Sequence, residues 1–414
     1  MKKGMQRLLL PLLMVLFFAC KKDGTNNTGG GGGTTPPPSN DLSKLEAYNF
    51  VLGTHAISKS YQFTSDNKLV EQAKRVRELG SNILKISMGP NSTDIYDITE
   101  TTKSTTVLDL FTKNLPYRTA LDMDFRYIFL WVHTLTGIDW KNGINATQEQ
   151  TLYNEMYNFV SHLLTRYDNS GKTFLIGNWE GDWILLPSYN RNETPSPTFV
   201  SNMVKWMQIR QKAIDDAKAA SAAKNVSVYH YIEANLVEKG MAGQVCVAES
   251  VLPNVNVDLV SYSSYEAIKD KTYAKTKSDL EAIFNYLETK LKAKAGLPFS
   301  RRVFIGEYGY QGNASNSASM LAQTSETKEL MRIAFELNLP FALHWQLYNN
   351  EYENGVSKQM SLINESGTKM PLYFTHQNFY IKMNNYLKTY KTTNGTYPST
   401  EDFRKKALEV LAIL

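Results

Sequence analysis

Short, nearly continuous apolar runs alternate along this chain with longer stretches in which apolar residues recur every three or four positions. Runs with the length of a strand are predicted at 50–54, 83–87, 127–133, 173–178, 226–232, 258–262, 303–307 and 341–345. The stretches between them have helical spacing, as at Leu69, Ala73, Val76 and Leu79. Continuous apolar runs are typical of parallel strands that are covered on both faces. The pattern therefore indicates an α/β fold with a parallel sheet.

Eight such strand and helix units match the count of a (β/α)8 TIM barrel, a fold that tolerates insertions beyond its usual size. We predict that residues 41–414 form this barrel as a single domain. A further helix is predicted from residue 399, packing across the bottom of the barrel. A doubly wound open sheet is the alternative, but no Gly-x-Gly-x-x-Gly motif follows the first run.

The first twenty residues have the pattern of a targeting segment. A basic start precedes an apolar run at 8–18, which is too short for a permanent membrane span, and Ala19 and Cys20 follow. The small residue before Cys20 resembles a bacterial lipobox, which predicts lipidation at Cys20; an ordinary signal peptide is the alternative. Residues 21–40 are rich in Gly and Pro and are predicted to be a tether. We thus expect a lipoprotein of the bacterial envelope, in the outer membrane on its periplasmic or cell-surface face.

Composition narrows the range of partners. The 45 basic and 40 acidic residues nearly balance and are scattered, so no nucleic-acid groove is predicted. Cys246 is the only cysteine besides Cys20, and its apolar surroundings predict a buried thiol without a disulfide. No phosphate loop or Gly-x-Ser-x-Gly motif is present. We expect no cofactor, and we expect a monomer.

Two short acidic segments are the main candidates for chemistry. Glu180 follows the fourth predicted strand and Glu307 closes the seventh, and each is flanked by Gly and by Trp or Tyr. In a barrel of this type, active-site residues lie at the carboxyl ends of strands. A pair of carboxylates can act on a glycosidic bond, and aromatic rings can stack on sugars. Either glutamate alone would more often be a solvated loop charge, so the pair carries the prediction.

Glu180, Glu307 and the segment 305–309 resemble clan A of the glycoside hydrolases, which are retaining (β/α)8 enzymes. The resemblance implies that Glu180 is the acid/base and Glu307 the nucleophile of a double displacement on β-linked oligo- or polysaccharides. It also implies that Trp345 is the floor of the sugar site and that Tyr262 contacts the nucleophile. Candidate substrate-binding residues are Trp345, Tyr262, Asn178, Trp183, His133, Trp131, His230 and Tyr308.

The chain departs from that family at two places. Trp179 stands where the family has Asn directly before the acid/base, and Asn178 lies one residue earlier. The second strand lacks the arginine that many members carry, and Lys85 is the nearest basic residue. Asp182 and Glu233 are therefore kept as further candidates for the acid/base.

Two other functions stay open. A barrel that keeps a sugar groove without turnover would be a glycan-binding lipoprotein. A metal-dependent amidohydrolase is the third, because His55, His133, His230 and His344 lie near predicted strand ends. No His-x-His closes the first run and no His-Glu-x-x-His occurs, so no metal is expected.

Overall fold

The computed structural model describes residues 41–99 and 103–414. The predicted signal peptide, Cys20 and the tether lie outside the described residues, so attachment to a membrane stays a prediction. Within the described part of the chain, no helix combines the length and apolarity needed to cross a membrane. Cys246 is a free, buried cysteine, as predicted.

Eight parallel strands close into a barrel in sequence order, with the last strand paired to the first. They are β1 Leu52–His55, β2 Ile83–Met88, β3 Tyr127–Val132, β4 Thr173–Gly177, β5 Ser227–Ala234, β6 Leu259–Ser263, β7 Val303–Tyr308 and β8 Ala342–His344. The predicted (β/α)8 fold is confirmed, and each strand overlaps its predicted run. The main difference is at β5, which continues two residues beyond the predicted end and so includes Glu233.

The helices fill the intervals between strands and form the outer layer. They are α1 Lys68–Leu79, α2 Ser92–Tyr96, α3 Val107–Lys113, α4 Leu115–Asp122, α5 Ala146–Arg166, α6 Gly181–Leu185, α7 Pro197–Ala220, α8 Val237–Met241, α9 Tyr265–Ile268, α10 Tyr273–Lys290, α11 Ser317–Glu336, α12 Pro371–Asn394 and α13 Thr400–Ala412. A short hairpin, β9 Tyr352–Glu353 and β10 Val356–Ser357, follows β8. Capping is local: Asn67 accepts a backbone hydrogen bond at the start of α1, and Gly80 ends that helix in the left-handed conformation.

The barrel interior is filled by aromatic side chains. Phe129, Phe304 and Phe341 lie in mutual contact, with the Phe129 and Phe341 ring centroids 4.9 Å apart, and Tyr231 contacts Phe129 and Phe304. Successive residues of a strand point to opposite faces, so every second residue joins this interior and the others face the helices. This alternation decides which candidate residues can reach a site at the carboxyl end of the barrel.

The amino-terminal end of the barrel is covered by α13, as predicted for the helix after residue 399. Phe403 is buried there, and its ring centroid lies 4.6 Å from that of Tyr48. Residues of α13 and the first residues of β3, β4 and β5 line the same depression. The C-terminal helix therefore closes the end opposite the candidate site.

Candidate active site

A cavity of about 800 Å³ opens at the carboxyl end of the barrel. Its lining includes Trp179, Glu180, Tyr265, Glu307, Trp345 and Glu351. Glu180 comes from the loop after β4 and Glu307 from the end of β7, so the fold brings both predicted carboxylates to one cavity. Aromatic rings and carboxylates together suit a ligand with apolar faces and hydroxyl groups.

Glu307 is placed by an irregularity in β7. The register between β6 and β7 shifts after Tyr262 and Ile305, and Ser263 then pairs with Glu307. The shift turns the Glu307 carboxylate into the cavity although the side chain is only 3% exposed. The Tyr265 hydroxyl donates a hydrogen bond to Oε2 at 3.2 Å, and Oε1 has no partner. One buried carboxylate oxygen is thus left free to meet a ligand.

Glu180 sits in a strained loop. Its backbone has φ 36° and ψ 71°, in the left-handed region that non-glycine residues rarely adopt. Gly181 follows, and a Cβ there would lie 2.3 Å from the Glu233 carbonyl oxygen. The Glu180 amide donates to Glu233 Oε1 at 3.0 Å, which holds the loop against β5. No described residue donates a hydrogen bond to the Glu180 carboxylate, which is half-buried in the cavity wall.

A fully buried ion pair lies beneath the two glutamates. Lys85 Nζ of β2 is 3.2 Å from Glu233 Oε2 of β5, and both side chains are inaccessible to solvent. Lys85 Nζ also donates to the Gly306 carbonyl at 3.2 Å and lies 4.2 Å from the Trp131 ring centroid. The Trp131 indole N–H donates to Glu233 Oε2 at 3.2 Å.

Burial and neighbouring charges raise the pKa of both glutamates. Burial raises the pKa of Glu180 to about 8; the charges of Glu233 and Glu351 add to the rise, and Lys85 opposes it. Burial also raises the pKa of Glu307 well above its usual value, with Glu233 adding to the rise and Lys85 opposing it. Glu180 is therefore protonated at neutral pH. Of the two glutamates, only Glu307 receives a hydrogen bond that favours its carboxylate form.

Comparison with known proteins gives no match to a family model or to a curated protein. Among solved structures, the chain is similar to the β-glucuronidase of Bacteroides uniformis, aligning over 81% of this chain and 35% of that one at 9% identity and a TM-score of 0.52. A Bacteroidetes-affiliated GH5 cellulase linked with a polysaccharide utilization locus aligns over 87% of this chain and 95% of its own, at 14% identity and a TM-score of 0.48. Xylanase 10B from Thermotoga maritima aligns over 82% of this chain and 96% of its own, at 16% identity and a TM-score of 0.44.

The likeness is one of fold. The chain spans about a third of the length of the β-glucuronidase, and identities in this range show the barrel alone. What this cavity does must be argued from its own residues.

Three predicted binding residues lie at or beneath the cavity. Trp345 lines it, and its indole N–H donates to Glu351 Oε1 at 3.1 Å. Trp131 lies beneath it against the buried ion pair. Asn178 is fully buried, and its side-chain oxygen accepts a hydrogen bond from the Glu233 amide at 3.4 Å. Asn178 therefore supports the loop and is not available to a ligand.

Tyr262, Tyr308 and His230 are corrections to the prediction, because their side chains face the helices. Tyr262 packs on Phe284 of α10, and the tyrosine that contacts Glu307 is Tyr265 at the start of α9. Tyr308 packs against His344 in the outer core. His230 Nδ1 lies 3.0 Å from the Gln211 amide oxygen of α7. His230 and Tyr262 are one position out of phase with the inward-facing residues of their strands, whereas Tyr308 shares the parity of Phe304 and faces outward because of the shift in β7.

Asp182, a further candidate for the acid/base, has a structural role. Its carboxylate accepts hydrogen bonds from the amides of Asn235, Leu236 and Val247 at 2.7 to 3.0 Å, so it ties the loop after β4 to the loops after β5. It is buried and does not line the cavity.

His133 and Trp183 are half-buried, and neither lines the cavity. Burial and the Arg210 charge lower the pKa of His133 to about 4. Within residues 41–99 and 103–414, no three His, Cys, Asp or Glu side chains are grouped so as to hold a metal ion.

Tyr265 and Glu351 were missed from the sequence. Both follow the end of a strand, Tyr265 at the start of α9 and Glu351 in the segment between β8 and β9, and the apolar pattern does not determine the course of the chain there. Lys85 and Glu233 had a usable signal. Lys85 interrupts an apolar run in phase with Ile83, and Glu233 continues the phase of Tyr229 and Tyr231. A charge on the inner face of a closed barrel must find a partner there.

Proposed function

We propose that this protein is a retaining glycoside hydrolase that cleaves β-linked glycosidic bonds of an oligo- or polysaccharide. The observation that carries the proposal is the pair of glutamates in one cavity with unlike surroundings. Glu307 is buried and accepts a hydrogen bond from Tyr265, while Glu180 is half-buried, lacks a described donor and holds its proton at neutral pH. One carboxylate and one carboxylic acid are what double displacement needs.

In the first step, Glu307 attacks the anomeric carbon while Glu180 donates its proton to the leaving oxygen, and a glycosyl ester on Glu307 forms. In the second, the Glu180 carboxylate takes a proton from water, and that water's oxygen displaces Glu307 from the anomeric carbon. The sugar leaves with its original anomeric configuration. Both glutamates then have their starting protonation states.

The cavity walls favour a sugar ligand. Trp179, Trp345, Tyr265 and Tyr310 present aromatic surface to it, and pyranose rings have apolar faces that stack on such rings. Carboxylate and amide groups on the same walls can accept or donate hydrogen bonds to hydroxyl groups. The volume of about 800 Å³ is in the range of small-molecule sites.

The proposal is tested by replacing the nucleophile. Glu307→Ala should lower turnover of 4-nitrophenyl β-glycosides, screened as a panel, by roughly a thousandfold or more. Azide should restore turnover of the panel member that the native protein cleaves and should yield the glycosyl azide of inverted configuration. Glu326→Ala is the matched control, since Glu326 is an exposed carboxylate on the same cavity. Full activity in Glu307→Ala would rule out the assignment.

A second candidate, a glycan-binding barrel without turnover, is favoured by the loop before Glu180. Asn178 is occupied within the protein, and Trp179 faces the cavity in its place. Affinity electrophoresis in gels containing plant or host polysaccharides separates the two functions. Retardation without hydrolysis of either polysaccharides or aryl glycosides would favour binding alone.

A further inference from the structure

The proposed mechanism gives no part to the buried charges beneath the cavity. Lys85 and Glu233 are completely inaccessible, and burying an ion pair costs several kcal/mol per ion before their attraction is counted. Replacing such a pair by apolar side chains is often neutral or stabilising. The pair lies directly beneath the cavity, between the main-chain segments that carry Glu180 and Glu307, and this position points to a role other than stability.

Glu233 has its hydrogen-bonding capacity filled. Oε1 accepts from the Glu180 amide at 3.0 Å and from Ser263 Oγ at 3.4 Å. Oε2 accepts from Lys85 and Trp131, each at 3.2 Å, and from Ser261 Oγ at 3.5 Å. Donors thus occupy both carboxylate oxygens, and neither oxygen is free for a ligand. Glu233, the last open candidate for the acid/base, is fully buried, does not line the cavity and has no oxygen free to reach a substrate.

The same pair joins the main chain at both catalytic glutamates. On one side Glu233 holds the amide of Glu180, whose left-handed backbone needs an external restraint. On the other side Lys85 holds the carbonyl of Gly306, directly before Glu307, and His55 Nε2–H donates to that carbonyl at 2.9 Å. A continuous path of three polar contacts therefore runs from the loop after β4 to the end of β7.

We propose that Lys85 and Glu233 are positioning residues that fix the backbones of Glu180 and Glu307 relative to each other and set the charge around them. The inference rests on the proposed function for its catalytic meaning. The two charges act on Glu180 in opposite directions, because the anion disfavours and the cation favours its ionised form. Neither residue touches the cavity, so neither takes part in bond making.

Other charged and titratable groups face this pair and must be held constant in a test. They are Glu180, Glu307 and Glu351 on the cavity side, Tyr231 and Tyr265 beside the glutamates, and His55 beside Lys85. Burial and Lys85 lower the pKa of His55 well below its usual value, so it is uncharged at neutral pH. Single substitutions of Lys85 or Glu233 leave these groups in place.

The test measures the pKa of Glu180 directly, by carbon NMR of protein labelled at the glutamate carboxyl carbon, with the Glu180→Gln spectrum to assign the signal. Glu233→Gln should lower the Glu180 pKa and Lys85→Met should raise it, each by about one unit or more. The double variant should lie between them. Activity on the cleaved aryl glycoside should fall in kcat at least tenfold in each, with KM changed less.

Asp258→Asn is the matched control. Asp258 is a buried carboxylate 2.6 Å from Lys294, at the opposite end of the barrel, so its loss should reduce stability without moving the Glu180 titration. If Lys85→Met does not fold, Lys85→Arg keeps the charge and should leave the pKa close to native while lowering kcat.

Shifts in the same direction for Glu233→Gln and Lys85→Met, or no shift in either, would overturn the proposal. Failure of the proposed function gives a different result. Then no glycoside is cleaved, or Glu307→Ala keeps full activity, whereas the opposed shifts of the Glu180 titration are still observed.

Discussion

At the scale of single residues, a third carboxylate in the cavity influences the pKa of Glu180. Glu351 is held by the Trp345 indole and lies near enough to Glu180 to raise the pKa of that acid. Since a proton donor must be protonated, activity should be lost as the pH rises through the Glu180 pKa of about 8. In the proposed mechanism, Glu351 thus extends the working range of the acid toward higher pH.

Glu351→Gln should therefore move the basic limb of the pH profile of kcat/KM to lower pH. Removing a nearby negative charge makes ionisation of Glu180 easier, so the sign of the shift is fixed, and a movement of about half a unit to one unit is expected. Glu326→Gln changes a carboxylate on the same cavity that does not contribute to the Glu180 shift, so it should leave the limb in place. An unmoved limb in Glu351→Gln would contradict this role.

The residues of the site differed in how far the sequence could predict them. Glu180 and Glu307 could be predicted because each combines a suitable residue type with flanking glycines and a position at the end of a predicted strand. The assignment of Tyr262 as the contact of Glu307 failed because the phase of β6 turns Tyr262 toward α10. Lys85 and Glu233 lie 148 positions apart in the sequence, so no local pattern predicts that they pair.

At the scale of elements, strands such as β2, β3 and β7 were predictable because inward and outward positions are both apolar through most of their length. Their ends were less so, since polar site residues such as Glu233 extend the pairing beyond the apolar run. The irregularity in β7 was also hidden, because it depends on how β6 and β8 pair with it.

Gly306 is the element-scale determinant of the Glu307 position. A Cβ at this residue would lie 2.6 Å from Ser261 Cβ on β6, which is too close for two carbon atoms that are not bonded to each other. Gly306→Ala should force β7 away from β6, lower the unfolding free energy by roughly 1–3 kcal/mol and reduce kcat. Chemical denaturation and turnover of the cleaved glycoside measure the two effects.

A compensating variant separates this clash from a general loss of stability. Ser261→Gly removes the atoms that a methyl group at position 306 would meet, so the double variant should recover part of both stability and kcat. Ser261→Gly alone is the control. No recovery in the double variant would mean that the space beside Ser261 does not determine where Glu307 lies.

At the scale of the whole molecule, the candidate site lies at one end of the barrel and the packing of the C-terminal helix at the other. The carboxyl end gathers Glu180, Glu307 and their supports from distant parts of the chain, with strain in the loop after β4. The amino end is closed by α13, whose apolar face packs on the chain before β1 and on α11 and α12. Stability at one end should therefore be separable from chemistry at the other.

Phe403 tests that separation. It is 1% exposed, and its ring contacts Tyr48, Phe50 and Phe335. Phe403→Ala should lower the unfolding free energy by about 3–5 kcal/mol, since it removes a buried aromatic ring and leaves a cavity. Ile413→Ala, just beyond the same helix at a site 74% exposed, should change it by less than about 0.5 kcal/mol. At temperatures where both variants are folded, kcat and the pH profile should match the native protein. A shifted pH profile in Phe403→Ala would show that the closed end is coupled to the catalytic end through the barrel wall.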